Sequence, residues 1–172
     1  MKTVLKKGFT IIEFLIVIGL VSLITTVSIA AYNNFLETSK LGSETQRLIA
    51  VLTLAQKRAT AGENVSGGVC AVGYSFSGIL VTTTASGGYT LQGQCSQDSN
   101  PSNTSTYGAM SYAIDPSNTN VILLTSTSIL FPKLTGIPTS DSSITMKNIS
   151  NNTCSRVTIT SGVMSSSNPS CP

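Results

Sequence analysis

The sequence predicts an α+β fold in which a long N-terminal helix packs on an antiparallel β-sheet domain. Apolar residues run from residue 9 to 31 with one charge among them, and an amphipathic pattern continues to residue 61. After Gly62 the chain consists of short β-rich runs separated by Gly, Asn, Asp and Pro. A helical pattern followed by several strands is typical of an α+β domain.

Four segments are predicted from these patterns. Residues 1–8 are short and basic, residues 9–31 are apolar, residues 32–61 are amphipathic, and residues 62–172 form a β-rich globular domain. A helix over the apolar segment would be about 35 Å long, enough to cross the roughly 30 Å core of a bilayer. We therefore expect the apolar segment to be the membrane half of the helix.

The amphipathic half of the helix has one apolar face. Leu48, Leu52 and Ala55 follow one another at steps of four and three residues, which is the spacing of one side of a helix. We expect this face to pack on the β domain and the helix to end at Gly62.

The β domain is predicted to hold seven strands, at residues 68–76, 78–84, 88–95, 121–126, 128–132, 142–148 and 155–164. Turn residues between these runs indicate antiparallel pairing. Residues 97–106 are rich in Ser, Asn and Thr and are predicted to be a polar loop.

The net charge of +3 comes from the three lysines of the first eight residues, because the remaining seven basic side chains are balanced by seven acidic ones. After residue 62 the basic side chains are Lys133, Lys147 and Arg156 only. Strong nucleic-acid binding depends on neutralising phosphates, so it is not expected here.

Catalysis has no candidate residues in this sequence. The chain contains no histidine and its four cysteines form no Cys-x-x-Cys pair, which argues against a nucleophile–base pair and against a zinc site. We predict that the chain is not an enzyme and that it holds neither a metal nor a cofactor.

The most specific motif is KKGFTIIEFLIVIGLV at residues 6–21. It resembles the N-terminus of type IV pilins and type II secretion pseudopilins. The resemblance implies that residues 1–8 are a leader, that prepilin peptidase cuts between Gly8 and Phe9, and that Phe9 is then N-methylated. It also implies an inner-membrane assembly platform and other pilin subunits as partners, the latter contacted through the N-terminal helix.

Glu13 is the one charge of the apolar segment. A carboxylate at the centre of a membrane span costs roughly 2.5–3.5 kcal/mol on insertion scales, so such residues usually have a partner. After cleavage Glu13 would lie in the first helical turn, where the helix dipole favours it. We expect it to pair with the free amine of a neighbouring subunit during assembly; the alternative is a carboxylate that snorkels to the headgroups.

The second half of the chain gives a weaker resemblance. LTLAQKRATAG at residues 52–62, ILFP at residues 129–132 and SRVTITSGVM at residues 155–164 are similar to the GspH/FimT group of minor pseudopilins. The resemblance implies a broad sheet packed on the helix.

The four cysteines allow three pairings. Cys70–Cys95 is preferred because both residues lie in predicted strands that one sheet could bring together. Cys154–Cys171 is preferred because it is similar to the C-terminal disulfide loop of many pilins.

The expected function is that of a structural subunit, a minor pilin or pseudopilin, of a type IV pilus or a type II secretion-like filament. It would cross the inner membrane once and then enter an extracytoplasmic filament. Two alternatives stay open: a binding, adhesion or DNA-uptake module at a filament tip, and a Sec-exported protein cut near Ala30.

Overall fold

A computed structural model describes residues 10–63, 65, 68–85 and 88–171, with the side chains of residues 26–28 and 30 left aside. The leader with Gly8 and the residue Phe9 lie outside the described residues. The chain divides into two compact units, Met1–Leu36 and Glu37–Pro172. Each unit is described by itself.

Helix α1 comprises Ile11–Ala61. Its described side chains fall mainly in two stretches, residues 11–25 and 31–61. The helix ends at Gly62, whose positive φ of 67° suits a glycine. The Gly62 amide donates to the Ala59 carbonyl at 3.1 Å, and the Glu63 amide donates to the Arg58 carbonyl at 2.9 Å. This pair of bonds is a Schellman cap, which satisfies carbonyls that the last turn leaves without partners.

Eight strands follow in chain order: β1 (Tyr74–Thr84), β2 (Gly88–Gln97), β3 (Thr104–Tyr112), β4 (Val121–Leu123), β5 (Thr127–Pro132), β6 (Ser142–Asn148), β7 (Thr153–Thr160) and β8 (Val163–Ser167). They form two four-stranded sheets with the orders β3-β2-β1-β5 and β4-β6-β7-β8. The strand pairs are antiparallel. A short 3-10 helix, Pro116–Asn118, precedes β4.

One hydrophobic core joins both sheets to the helix face of the second unit. Its largest contributors are fully buried: Leu48, Leu52, Ile79, Tyr89, Leu91, Phe131, Leu123, Ile144, Met146 and Ile159. The residues come from α1, from β1, β2 and β5 of the first sheet, and from β4, β6 and β7 of the second. Their burial removes apolar surface from water. Each Å² of buried apolar surface stabilises the fold by about 25 cal/mol.

The predicted fold class, an α+β arrangement of a long helix with a membrane half on one antiparallel sheet domain, is wrong. The described chain is mostly β-rich, because its eight strands form two separate sheets. Among the helical residues whose side chains are described, no helix is both long enough and apolar enough to cross a membrane.

Strand β3 falls partly within the predicted polar loop at residues 97–106. Its sequence, TSTYGAMSY, is exposed or half-buried throughout, because it forms an edge of the first sheet and pairs with β2 alone. An edge strand with many hydroxyl side chains carries little of the apolar alternation that identifies a strand.

Two other parts of the β domain are divided into strands differently from the prediction. The end of the predicted strand at 68–76 and the predicted strand at 78–84 form the single strand β1, with an irregularity between Phe76 and Gly78. Residues 68–73 precede it and are not in a strand. The predicted strand at 155–164 is a hairpin, β7 and β8, which turns at Ser161 and Gly162 with positive φ angles of 51° and 79°.

Both disulfides of the preferred pairing, Cys70–Cys95 and Cys154–Cys171, are present. Cys70 precedes β1 instead of lying in a strand, and it bonds to Cys95 on β2. Cys171, in the tail after β8, bonds to Cys154 on β7. The two bonds therefore fix one chain segment to each sheet.

We expect the double substitution Cys154→Ser with Cys171→Ser to lower the free energy of unfolding by about 3 kcal/mol, because the loop of 17 residues is then free in the unfolded chain. Urea unfolding of the full chain in mild detergent, followed by the β-sheet circular dichroism signal, measures the change. Cys70→Ser with Cys95→Ser should cost slightly more, since its loop spans 25 residues. An unchanged midpoint in both variants would contradict the expectation.

Candidate functional site

The start of α1 is fixed by a reciprocal set of contacts between Thr10 and Glu13. The Thr10 hydroxyl accepts from the Glu13 amide at 3.3 Å. The Thr10 amide and hydroxyl in turn donate to Glu13 Oε2 at 3.4 and 3.3 Å. The Phe14 amide bonds to the Thr10 carbonyl at 3.2 Å, which makes Thr10 the N-cap residue. This is a capping box, in which two otherwise unpaired amides of the first turn gain partners.

The capping box gives Glu13 a partner that the sequence analysis did not consider. The signal was available, because Thr-x-x-Glu before an apolar run is the usual pattern of a capping box. Both bonds from Thr10 end on Oε2. Within the described residues, the other oxygen, Oε1, accepts no hydrogen bond.

The helix from Ile11 onward exposes apolar side chains on all sides. Up to Ile24 its exposed large apolar residues are Ile11, Ile12, Phe14, Leu15, Ile16, Val17, Ile18, Leu20, Val21, Leu23 and Ile24. Within the first unit each is between 46% and 82% exposed. A helix that is apolar all round is normally covered by lipid or by other protein, and a contiguous exposed patch of this kind marks an interaction surface.

The hydroxyl groups of this segment are used within the helix. Ser22 Oγ donates to the Gly19 carbonyl at 2.9 Å, and Thr25 Oγ1 donates to the Val21 carbonyl at 2.7 Å. Such back-bonding places the polar hydrogen against the backbone. The outer surface that these residues offer is therefore more apolar than their side-chain types suggest.

In the second unit, Glu37 connects the helix to β6. Its Oε1 accepts from Lys40 Nζ at 2.7 Å, and its Oε2 accepts from Asn148 Nδ2 at 2.9 Å. Asn148 Nδ2 also donates to the Glu37 carbonyl at 2.9 Å. Asn120 Nδ2 lies 3.4 Å from Oε2. The bonds from Lys40 and Asn148 hold the pKa of Glu37 below its usual value.

Glu44 forms a second polar contact between the helix and the sheets, and it is 2% exposed. Its Oε1 accepts from the Asp115 amide at 3.1 Å and from Asn118 Nδ2 at 2.9 Å. Arg47 Nη1 lies 3.8 Å from the same oxygen. Oε2 is buried without a hydrogen-bond partner in the described part of the chain. The nearby Tyr89 hydroxyl is also buried without a partner, and burial raises the pKa of Tyr89 to about 12.

A groove of about 290 Å³ lies between the helix and the β7–β8 hairpin. Uncharged residues line it: Thr38, Leu41, Gly42, Thr45, Gln46, Thr153, Cys154, Ser155, Ser166 and Asn168. Thr45 donates its hydroxyl to the Leu41 carbonyl at 2.8 Å. The groove carries no charged side chain and no grouping that suggests a reaction.

Among the residues that the structure describes, no three His, Cys, Asp or Glu side chains come close enough together to hold a metal ion. Of the residues predicted from the sequence, Glu13 lies in the first unit, and the four cysteines lie in the second. The contacts of Thr10, Glu37 and Glu44 were not predicted.

Comparisons with models of known families, with curated proteins and with solved structures find no match to this chain.

The contact between Asp115 and Ser117 predicts a dependence of stability on pH. Asp115 Oδ1 accepts from the Ser117 hydroxyl at 2.7 Å and from the Ser117 amide at 2.8 Å. These bonds hold the pKa of Asp115 below its ordinary value of 3.8. A group with a lowered folded pKa stabilises the fold above its unfolded pKa, and the contribution is lost as the pH falls through the folded value.

We therefore expect Asp115→Asn to flatten the fall of the melting temperature as the pH drops below about 4, because Asn keeps a capping oxygen but does not titrate. Thermal unfolding between about pH 3 and about pH 6 measures it. Ser117→Ala, which removes the hydroxyl donor alone, should flatten the curve less. Parallel curves for wild type and Asp115→Asn would show that the contact does not contribute.

Proposed function

We propose that this chain is a structural subunit, a minor pilin or pseudopilin, of an extracytoplasmic filament of the type IV pilus or type II secretion kind. The single observation that carries the proposal is the all-round apolar helix surface that begins at the Thr10–Glu13 capping box. The sequence KKGFTIIEFLIVIGLV, with its resemblance to prepilin N-termini, supports the same function.

The apolar helix surface must be shielded from water. In the proposed function two different surroundings shield it, one after the other. Before assembly the cover is the lipid of the inner membrane, and after assembly it is the equivalent helices of other subunits. The membrane stage of this proposal rests on the sequence of residues 9–31 alone. Prepilin peptidase and an inner-membrane assembly platform are the partners that such a route requires.

Glu13 has two roles in the proposed assembly. Through Oε2 it holds the first turn of the helix, and through Oε1 it can accept the free amine of a neighbouring subunit. The amine is created by cleavage before Phe9. An ion pair of this kind is favourable in an apolar surrounding because each charge would otherwise be left unpaired at high cost.

We expect the mature chain to begin at N-methylated Phe9. The reason is the junction of Gly8 and Phe9 at the end of a basic leader, which resembles the site at which prepilin peptidase cuts. Intact mass measurement and N-terminal peptide mapping of the membrane-bound and filament-bound protein test it. A chain that begins at Met1 or at Ala31 in both fractions would contradict the proposed processing.

Substitution of Glu13 separates its two proposed roles. Glu13→Gln keeps a side-chain oxygen for the capping box but removes the charge, whereas Glu13→Ala removes both. We expect both variants to be cleaved and membrane-bound, and both to be absent from sheared filaments. Glu13→Asp, which keeps the charge on a shorter side chain, should give an intermediate amount.

Thr10→Val is the matched control, because it removes the capping hydroxyl and leaves the carboxylate. It should enter filaments in larger amounts than Glu13→Gln. Filament content is compared per copy of this subunit in membranes, since a minor subunit is present in few copies. If Glu13→Gln assembles like wild type, the charge is not an assembly contact and the proposed pairing is wrong.

A further inference from the structure

We propose that three exposed apolar side chains, Leu134, Ile137 and Val163, form a docking surface for a neighbouring subunit of the filament. We call these three residues the turn patch. They belong to the second unit of the chain. The inference rests on the proposed function, because it names the partner that the filament supplies to this surface.

The first part of the turn patch is a tight turn after β5 that packs on the last turns of α1. The Leu134 amide donates to the Ala59 carbonyl at 3.1 Å. A Cβ atom at Gly136 would lie 2.9 Å from the Gln56 carbonyl oxygen, so the backbone of this turn is in close contact with the helix.

The second part is the turn between β7 and β8, which contacts the same region of the helix. Its Gly162 carbonyl accepts a hydrogen bond from Gln56 Nε2 at 3.1 Å. A Cβ atom at Gly162 would lie 3.2 Å from Ile137 Cγ1, so the two turns also touch each other. Val163 follows Gly162 directly. The three members of the turn patch are therefore neighbours on one surface.

Leu134 has a backbone conformation that the fold itself does not explain. Its φ is 72°, a left-handed value that is unfavourable for a bulky L-residue. Its side chain is 71% exposed, so burial offsets little of this cost. The contact with the helix is made by the backbone amide, which glycine would supply equally well. A strained residue that adds little to the stability of the fold points to a functional role.

The other two members of the turn patch are exposed apolar residues as well. Ile137 is 48% exposed and Val163 is 68% exposed. Charged groups lie beside them: Lys133 is exposed next to the first turn, and Asp141 Oδ1 accepts from the Ser161 amide at 3.3 Å in the second. An apolar centre with a polar rim is the usual organisation of a protein–protein interface.

The size of the turn patch indicates which kind of partner it can bind. A stable protein–protein interface involves about 20–30 residues on each side, so three side chains do not hold a partner by themselves. Their partner must be kept nearby by a second contact. In the proposed filament that contact is the packing of the apolar helix surfaces, which holds one subunit beside the next. Two linked contacts bind more tightly than either alone, so a neighbouring subunit is the partner that fits.

Leu134→Gly tests the turn patch without disturbing the fold. Glycine adopts the left-handed conformation freely, so the melting temperature should be unchanged or higher. The amount of this subunit in sheared filaments, per copy in membranes, should fall about tenfold, which corresponds to a loss of about 1.4 kcal/mol of binding. A lower melting temperature would show that Leu134 serves the fold, and wild-type filament content would show that it is not a contact. Either result would overturn the inference.

Ser161→Gly is the matched control. It relaxes a positive φ of 51° in the neighbouring turn but removes no apolar side chain, and it should enter filaments like wild type. An equal loss in both variants would overturn the inference. If wild type and Leu134→Gly enter filaments equally, the turn patch alone is refuted and the proposed function stands. If wild type is absent from filaments, the proposed function is wrong and the turn patch is wrong with it.

Photo-crosslinking in cells identifies the partner. When p-benzoylphenylalanine replaces Val163, it should crosslink to a second pilin-like subunit, recognised by a mature N-terminus that resembles that of this chain. Ile149 is the control position, because it is apolar and 54% exposed but precedes β7, at the opposite end of that strand from Val163. No adduct, adducts only with lipid or with another kind of protein, or equal yields of the subunit adduct at both positions would overturn the inference.

Discussion

The structure of the second unit depends on the burial of one helix face between two sheets. Leu48, Leu52 and Ala55 are fully buried, and each sheet contributes its own apolar side chains to the same core. The helix face and the buried side chains of both sheets belong to one core, so both sheets pack apolar side chains into the same core as the helix. The strands can therefore be rich in Ser and Thr on their outer faces, because the core is formed from few large residues on the inner ones.

Polar contacts determine where the helix lies along this core. Apolar packing tolerates small shifts, whereas a carboxylate that is buried or half-buried must meet its donors. Glu44 does so through the Asp115 amide and Asn118, and Glu37 does so through Asn148. These residues lie seven positions, two helical turns, apart on α1, and their partners come from different chain segments. A shift of the helix by one turn would leave both carboxylates unsatisfied, so the two contacts together select one register.

The apolar face of the helix and most of the strands could be predicted from the sequence, because both depend on local spacing. Which strands share a sheet could not be predicted. Strand β5 pairs with β1 in one sheet, while its sequence neighbour β4 pairs with β6 in the other. Strand β3 escaped prediction because hydroxyl residues dominate it. The Glu37–Asn148 contact joins residues 111 positions apart, and no local pattern predicts such a pair. The capping contact of Thr10 could have been predicted, because Thr-x-x-Glu is a capping-box pattern. The same glutamate also belongs to the prepilin-like motif, which explains it without the capping contact.

The capping box has a consequence for the chain on its N-terminal side. Thr10 closes the first turn with its own hydroxyl and carbonyl, and Glu13 returns a bond to the Thr10 amide. Each of these bonds joins Thr10 to a residue after it in the sequence. A change of the residues before Thr10 therefore removes none of the atoms that form them. Sequences that differ upstream but share Thr10 and Glu13 can begin this helix with the same capping contacts.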